Sequence, residues 1–465
     1  MNERIGSLAS FQHDHGDLPK RIGECCDQSG KTIVVLDDDP TGTQTVYETR
    51  VLTVWDTESL TKELNRGDRL FYILTNSRAL TEPAAIELAR EIGCNLQEAA
   101  KASGSEVTVI SRSDSTLRGH YPAEVDSLGE AVGMADAVQV LMPFFLQGRR
   151  FTIDDTHYVA DGDRLIPAAE TPFAKDATFG FSKSELHQWV AEKRVGWAEK
   201  PTGSLSINDL RTSSIEGLTE RLVDQPRDSV LIVNAASIED ARVFALAAHG
   251  AENRGQRMLY RTAASFVQAF AGLTEQPLLL GGEVVPVDRP AGLVIVGSYV
   301  PKSTEQLQHL LACQEAPNAV ELSASALLRS DAAEHVRDAV AKVNRHLAAG
   351  EDVVVYTSRD LITGSDADSS LEIGGQISTA IVELVRSVTH PLRFLIAKGG
   401  ITSSDVATKG LEIEQARVSG QILPGIPVWV AEERPEDSRF PYIVFPGNVG
   451  APEDLMRVYL ALKSK

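Results

Sequence analysis

Three consecutive carboxylates, Asp37-Asp38-Asp39, follow directly on the apolar run TIVVL and lead into Pro40-Thr41-Gly42-Thr43-Gln44. Adjacent carboxylates repel one another, so a metal, basic side chains or substrate hydroxyls must offset the cost. Thr41 and Thr43 add hydroxyls, and Gly42 lets backbone approach a ligand closely. Helix capping alone needs one aspartate at such a turn, not three. Two further segments bring basic groups: Asn76-Ser77-Arg78 follows LFYILT, and Ser111-Arg112-Ser113-Asp114-Ser115-Thr116-Leu117-Arg118-Gly119 follows VTVI. Arginine grips a carboxylate through two parallel N–H···O bonds, whereas aspartates and hydroxyls suit the alcohol groups of a sugar. Together these residues offer recognition of a small polyhydroxylated acid.

The second half of the chain offers mostly glycine. Gly297-Ser298 follows LVIV, Lys398-Gly399-Gly400-Ile401-Thr402 follows RFLIA, Gly420 and Gly425 precede a short apolar run, and Pro446-Gly447-Asn448-Val449-Gly450 follows YIVF. Gly-rich turns that feed helix N-termini present unpaired N–H groups to phosphate. One such turn says little, because glycine often ends strands for steric reasons; four together point to a nucleotide. The P-loop pattern G-x-x-x-x-G-K-S/T is missing, and so is G-x-G-x-x-G after any strand-like run, which counts against a dehydrogenase. HExxH and GxSxG are absent too, which removes the zincin and α/β-hydrolase readings.

Parallel strands must position these residues. The runs 32–38, 51–55, 70–76, 107–112, 138–142 and 230–234 are apolar and bounded by polar or turn residues, as fits strands covered on both faces. Helical patterns such as 82–102 lie between them. After the Gly- and Pro-rich stretch 274–292 the pattern resumes at 293–298, 352–358, 393–400, 427–433 and 442–450. This alternation predicts an α/β fold of two domains, each with a mostly parallel β-sheet flanked by helices. The first domain spans 1–285, with a polar leader over 1–30 and an irregular insertion over 148–205 that reads as a lid or a β-rich excursion, with a helix near 182–194. The second domain spans 286–465.

Acidic residues exceed basic ones by 65 − 45 = 20, the formal charge of −20. Such a surface repels nucleic acid and anionic lipid, so neither is an expected partner. No apolar run approaches the ~20 residues of a membrane span, and the opening residues lack a secretion signal. Cys25, Cys26, Cys94 and Cys313 have no spacing that suits zinc or a disulfide framework, so reduced thiols in a cytoplasmic protein are expected. A homodimer is compatible with the sequence.

The chain resembles the four-carbon acid sugar kinase family through LDDDPTG (36–42), TNSR (75–78), SRSDSTLRGH (111–120), GRRFTIDDTHYV (148–159) and YRTAASF (260–266), and then through GSYVPKSTEQ (297–306), AKGGITS (397–403), GQILPGIPVW (420–429) and FPGNVG (445–450). The resemblance implies an N-terminal domain that holds the acid sugar and a C-terminal domain that holds ATP. It also implies phosphorylation of the terminal hydroxyl of threonate, erythronate or an oxo-tetronate. On that footing Asp38 and Asp114 are the catalytic candidates, with Asp38 favoured to orient or deprotonate the attacking hydroxyl. Arg78 and Arg118 would hold the carboxylate, with Asp37, Thr41, Ser77, Ser115 and Thr116 around the substrate. Gly297, Ser298, Lys398, Gly399, Gly400, Thr402, Gly420, Gly447 and Asn448 would line the ATP site. Mg²⁺ would be held mainly by phosphates and water, with no protein ligand assigned. Two departures stand out: Pro40 precedes Thr41-Gly42-Thr43-Gln44 where the family has a more apolar Thr-Gly-Ala, and Ile401 replaces the usual acidic residue after Gly-Gly. A non-catalytic two-lobed ligand sensor is the rival reading from another class.

Overall fold

Apolar runs without polar alternation are stable as strands only where helices cover both faces of the sheet. The computed structural model, which describes residues 8–286, 288–359, 362, 367–432 and 439–463, forms them accordingly. TIVVLD becomes β1 (Thr32–Asp37), buried along its whole length. The chain then departs: Asp39–Thr53, which carries β2 (Thr49–Leu52), groups with the second of two compact units. The first unit comprises the described residues up to Asp38 together with Val54–Glu275.

In the first unit follow β3 (Leu70–Leu74), β4 (Val107–Arg112), β5 (Val138–Met142), β6 (Arg150–Ile153), β7 (Thr156–Asp161), β8 (Arg164–Pro167), β9 (Thr202–Leu205), β10 (Val230–Val233) and β11 (Met258–Thr262). Its main sheet runs β3-β1-β4-β11-β5-β10-β9 with every pairing parallel. The predicted helix over 82–102 is present as Glu82–Ser103. The insertion is the β-rich excursion: β6, β7 and β8 make a separate antiparallel sheet, followed by a helix at Leu186–Lys193. Of the expected polar leader, residues 1–7 lie outside the described residues, and Leu18–Ser29 is a helix capped by Asp17. Its Leu18, Ile22 and Cys26, four apart, are buried on one face, so this stretch belongs to the body of the unit.

The second unit adds β12 (Leu293–Val296), β13 (Asn318–Leu322), β14 (Val353–Thr357), β15 (Leu395–Lys398), β16 (Gln415–Leu423), β17 (Ile426–Ala431) and β18 (Tyr442–Phe445). The order β13-β14-β12-β15-β18 is parallel, and β17, β16 and β2 continue it as antiparallel neighbours. Val294, Val296, Phe394, Ile396, Ile443, Phe445 and Tyr459 pack its core. Residue 433, the end of one predicted strand, lies outside the described residues. The architecture is thus a two-domain α/β fold of large, mostly parallel sheet with one small antiparallel sheet. Among the described residues no helix is long and apolar enough to cross a membrane.

Candidate active site

In the first unit β1 lies between β3 and β4; the connection from β1 runs to β3 and the one from β4 runs the other way to β5, which opens a crevice between β1 and β4 at their carboxyl ends. The register sets Asp37 beside Arg112, and Arg112 beside Thr262 of β11. Arg112 Nη1 donates to Asp37 Oδ1 at 2.9 Å and to Asp38 Oδ1 at 3.1 Å. Asp38 Oδ2 accepts from the Asp114 backbone N–H at 3.2 Å and lies 3.5 Å from Arg78 Nε. Asp114 in turn accepts from Arg118 Nε at 2.8 Å and from the Thr116 hydroxyl, and it faces Arg78 Nη1 at 3.6 Å. Ser77 Oγ donates to Glu124 Oε1 at 2.7 Å, and His120 Nε2 lies 3.1 Å from the Ser77 carbonyl, which pins the turn carrying Arg78. The Ser115 carbonyl accepts from His157 Nε2 at 2.8 Å; burial pulls that imidazole down to about 4, so it is neutral. Asp37, Asp38, Ser77, Arg78, Asp114, Ser115, Thr116 and Arg118 therefore all lie on the ends of β1, β3 and β4 or the loops leaving them.

These acids differ sharply in proton affinity. Burial pushes Asp37 up to about 7 against the pull of Arg112. Burial, with Asp38 nearby, also pushes Glu124 up to about 7. Burial alone would raise Asp114 too, but Arg118 and Arg78 beside it hold its carboxyl well below the usual range. Three charged groups here were not singled out from sequence: Glu124, Arg150 and Arg261. All three are buried. Arg150 lies against the same cluster, feeling Asp114 and Arg118, and burial lowers it to about 10, so it stays cationic at neutral pH. Thr41 falls in the segment that groups with the second unit, where its N–H donates to Asp39 Oδ1 at 2.6 Å.

In the second unit the register aligns Val296, Lys398 and Phe445, so three adjacent parallel strands release their turns together. A Cβ on Gly297 would sit 2.3 Å from Thr402 Oγ1, and one on Gly400 would sit 2.3 Å from Asp39 Oδ2. Gly399 takes φ +117°, and a Cβ there would meet Ser298 Cβ at 2.9 Å. Ser303 Oγ donates to the Gly447 carbonyl at 3.2 Å and lies 3.1 Å from Ser298 Oγ, whose hydroxyl can donate to it. Gly297, Ser298, Gly399, Gly400, Thr402 and Gly447 thus form one close-packed cluster of turns, with Asn448 next in the chain and half-buried. Gly420 lies elsewhere, in β16, separated from β18 by β17; its φ of +145° and Leu279, 3.3 Å from a built Cβ, explain the glycine.

Lys398 points inward. Its Nζ donates to the Pro446 carbonyl at 2.7 Å and lies 4.3 Å over the Phe445 ring. Burial, with Lys302 adding to it, pushes the ammonium down to about 7 from the ordinary 10.5. Between those values the unfolded chain binds more protons than the folded one, so Lys398 makes stability rise with pH above about 7. Lys398→Met should flatten that rise, as read from thermal unfolding of both proteins at pH 7 and pH 9. An unchanged slope would contradict a buried, proton-shedding ammonium.

A family model described as a sugar-binding N-terminal domain matches residues 33–270, and one described as a nucleotide-binding C-terminal domain matches residues 293–455. Among solved structures, a Salmonella typhimurium LT2 protein provisionally named a tRNA synthase is 16% identical over 92% of this chain and 98% of its own, with a TM-score of 0.65. A Haemophilus influenzae protein of the DUF1537 family is 16% identical over 92% of this chain and 100% of its own, with a TM-score of 0.61. At such identity the likeness concerns the fold. No curated protein matches the chain.

Proposed function

We propose that this chain, which belongs to the family of the sugar-binding N-terminal domain and carries the nucleotide-binding C-terminal domain behind it, is an ATP-dependent kinase for the terminal hydroxyl of a four-carbon sugar acid. The observation that carries the reading is the charge of the first unit's crevice. Arg78, Arg112, Arg118, Arg150 and Arg261 gather there, outnumbering Asp38, Asp114 and Asp176 even when all three count as negative. Asp37 and Glu124 take up protons near neutrality, so at pH 7 they offset about half of that excess and leave about one positive charge. A carboxylate substrate neutralises the surplus, and its hydroxyls find Asp38, Ser77 and Thr116.

Phosphoryl transfer asks a protein mainly for alignment and charge stabilisation. The substrate hydroxyl oxygen attacks the γ-phosphorus of ATP, the bond to the β–γ bridging oxygen breaks, and ADP leaves. Asp38 takes the hydroxyl proton. The clustered turns of the second unit offer the phosphates the backbone N–H of Gly400 at the start of its helix, while the N–H of Gly399 is given to the Phe445 carbonyl at 2.9 Å. Mg²⁺ supplies charge neutralisation when bound. The residues fit an ion held mostly by phosphates and water, with Asp39 bringing one carboxylate to Gly400. Asp155, Glu185 and His187 could also converge on a metal, but they lie in the insertion, where Asp155 already accepts from Asn234 and Ser204 and Glu185 caps a helix.

The test is acid-dependent ADP release with MgATP across D- and L-threonate, D- and L-erythronate and the oxo-tetronates. Turnover on one of them supports the reading and names the substrate. MgATP binding without turnover points to a different acceptor alcohol. Failure to bind nucleotide at all sinks the kinase and leaves the sensor.

A further inference from the structure

We infer that Arg261 is the group that binds the substrate's carboxylate and thereby selects acids over neutral polyols; the inference rests on the sugar-acid reading of the first unit. Arg261 stands in β11, between β4 and β5, and is 6% exposed. Its guanidinium has no hydrogen bond or ion pair among the described residues, whereas those of Arg78, Arg112 and Arg118 each face an aspartate. None of its nitrogens is among the fully buried unsatisfied atoms, so this nearly buried guanidinium keeps an edge open without a protein partner, as a ligand-binding group does. Desolvation accordingly lowers its proton affinity, against the opposing pull of Asp38 and Glu124.

Its surroundings are those of a built site. Arg261 lines a small cavity with Asp114, Leu117, Leu141, Trp189 and Thr262. Thr262 Oγ1 and Ser113 Oγ are buried without hydrogen-bond partners, as are Asp37 Oδ2 and Arg112 Nε at the ends of the neighbouring strands. Several orphaned polar atoms at the carboxyl ends of β1, β4 and β11 are what a missing polar ligand leaves behind. Gly119 keeps the place open. A Cβ there would lie 3.2 Å from Arg261 Nη2 and 3.4 Å from Asp38 Oδ2. Guanidinium and proposed base therefore flank one point, as suits a short acceptor held by its acid end at Arg261.

The experiment measures calorimetric binding of D-erythronate, L-threonate and the neutral alcohols erythritol and threitol to the full chain and to Arg261→Met, with Arg261→Lys as the conservative variant. Direct binding is read without ATP, so the answer does not depend on turnover. Acid affinity should fall about 100-fold in Arg261→Met, the loss expected for charge-assisted hydrogen bonds. Arg261→Lys should recover part of it, and affinity for the alcohols should stay within a few-fold. The melting temperature of unliganded Arg261→Met should hold or rise, because an unpartnered buried charge has been removed. Unchanged acid affinity in Arg261→Met would overturn the inference. So would equal losses for acids and alcohols with a lower melting temperature, the signature of a structural arginine. Acid binding that depends on Arg261, in a protein that never releases ADP, would keep the inference and sink the kinase. A wild-type chain that binds neither acid would overturn both.

Discussion

Asp38→Asn should lower turnover about 1,000-fold while MgATP still raises the melting temperature of the variant. The magnitude is that of a lost general base, and the retained nucleotide response follows because the substitution lies outside the second unit. Asparagine keeps the shape of the side chain and one oxygen for Arg112 Nη1 or the Asp114 N–H, but it cannot take a proton. Asp114 is the weaker candidate for that role. Arg118 and Arg78 hold its carboxyl far below the usual range, so it has little drive to accept a proton from an alcohol. Asp114→Asn should instead release Arg118 and Arg78 and show itself mainly in KM for the sugar acid. Steady-state ADP release separates the two variants. If Asp38→Asn keeps a tenth or more of wild-type turnover, another group moves the proton; Glu124, bonded to Ser77 and pushed up to about 7, is then next in line.

How much of this was legible in the sequence depends on where each residue finds its partner. Asp37, Asp38 and Arg112 could be read because they end the uninterrupted apolar runs of β1 and β4, and those strands are neighbours in the sheet. Arg261 lies in the YRTAASF stretch that carries the family resemblance, but neither its strand nor its place beside the aspartates was legible. Its strand, MLYRT, is short and carries a buried arginine and a buried tyrosine, so its hydropathy does not mark it as a strand between two others. Thr41 and Thr43 adjoin the aspartates in the chain, and nothing local reveals that Trp429 Nε1 donates to Thr43 Oγ1 at 3.0 Å in the second unit. Lys398 has a partner that is equally remote from its own turn. Its Nζ donates to the carbonyl of Pro446, which no pattern within a single turn announces. The clustered glycines were legible as turns, and their neighbours explain them: a Cβ at Gly297, Gly399 or Gly400 would press on Thr402, Ser298 or Asp39.

That packing gives the second large effect. Gly297→Ala should weaken MgATP binding by roughly tenfold or more and leave sugar-acid binding unchanged. The added methyl would lie 2.3 Å from Thr402 Oγ1, 3.0 Å from Ile381 Cδ1 and 3.1 Å from Thr402 Cγ2. Thr402 sits in the helix opened by Gly400, so it can yield only if the Gly399–Gly400 turn moves with it. Inserting one methyl into a packed site costs about 1–3 kcal/mol, which is about 5- to 150-fold in affinity where the displaced turn is the one that binds. Thr402→Ala removes both the Oγ1 and the Cγ2 contacts. If the loss is steric, the double variant Gly297→Ala/Thr402→Ala should therefore bind MgATP close to the level of Thr402→Ala alone. Such a rescue cannot come from general destabilisation, since a second core truncation would add to that rather than cancel it. Undiminished MgATP affinity in Gly297→Ala would place the nucleotide away from the ends of β12 and β15.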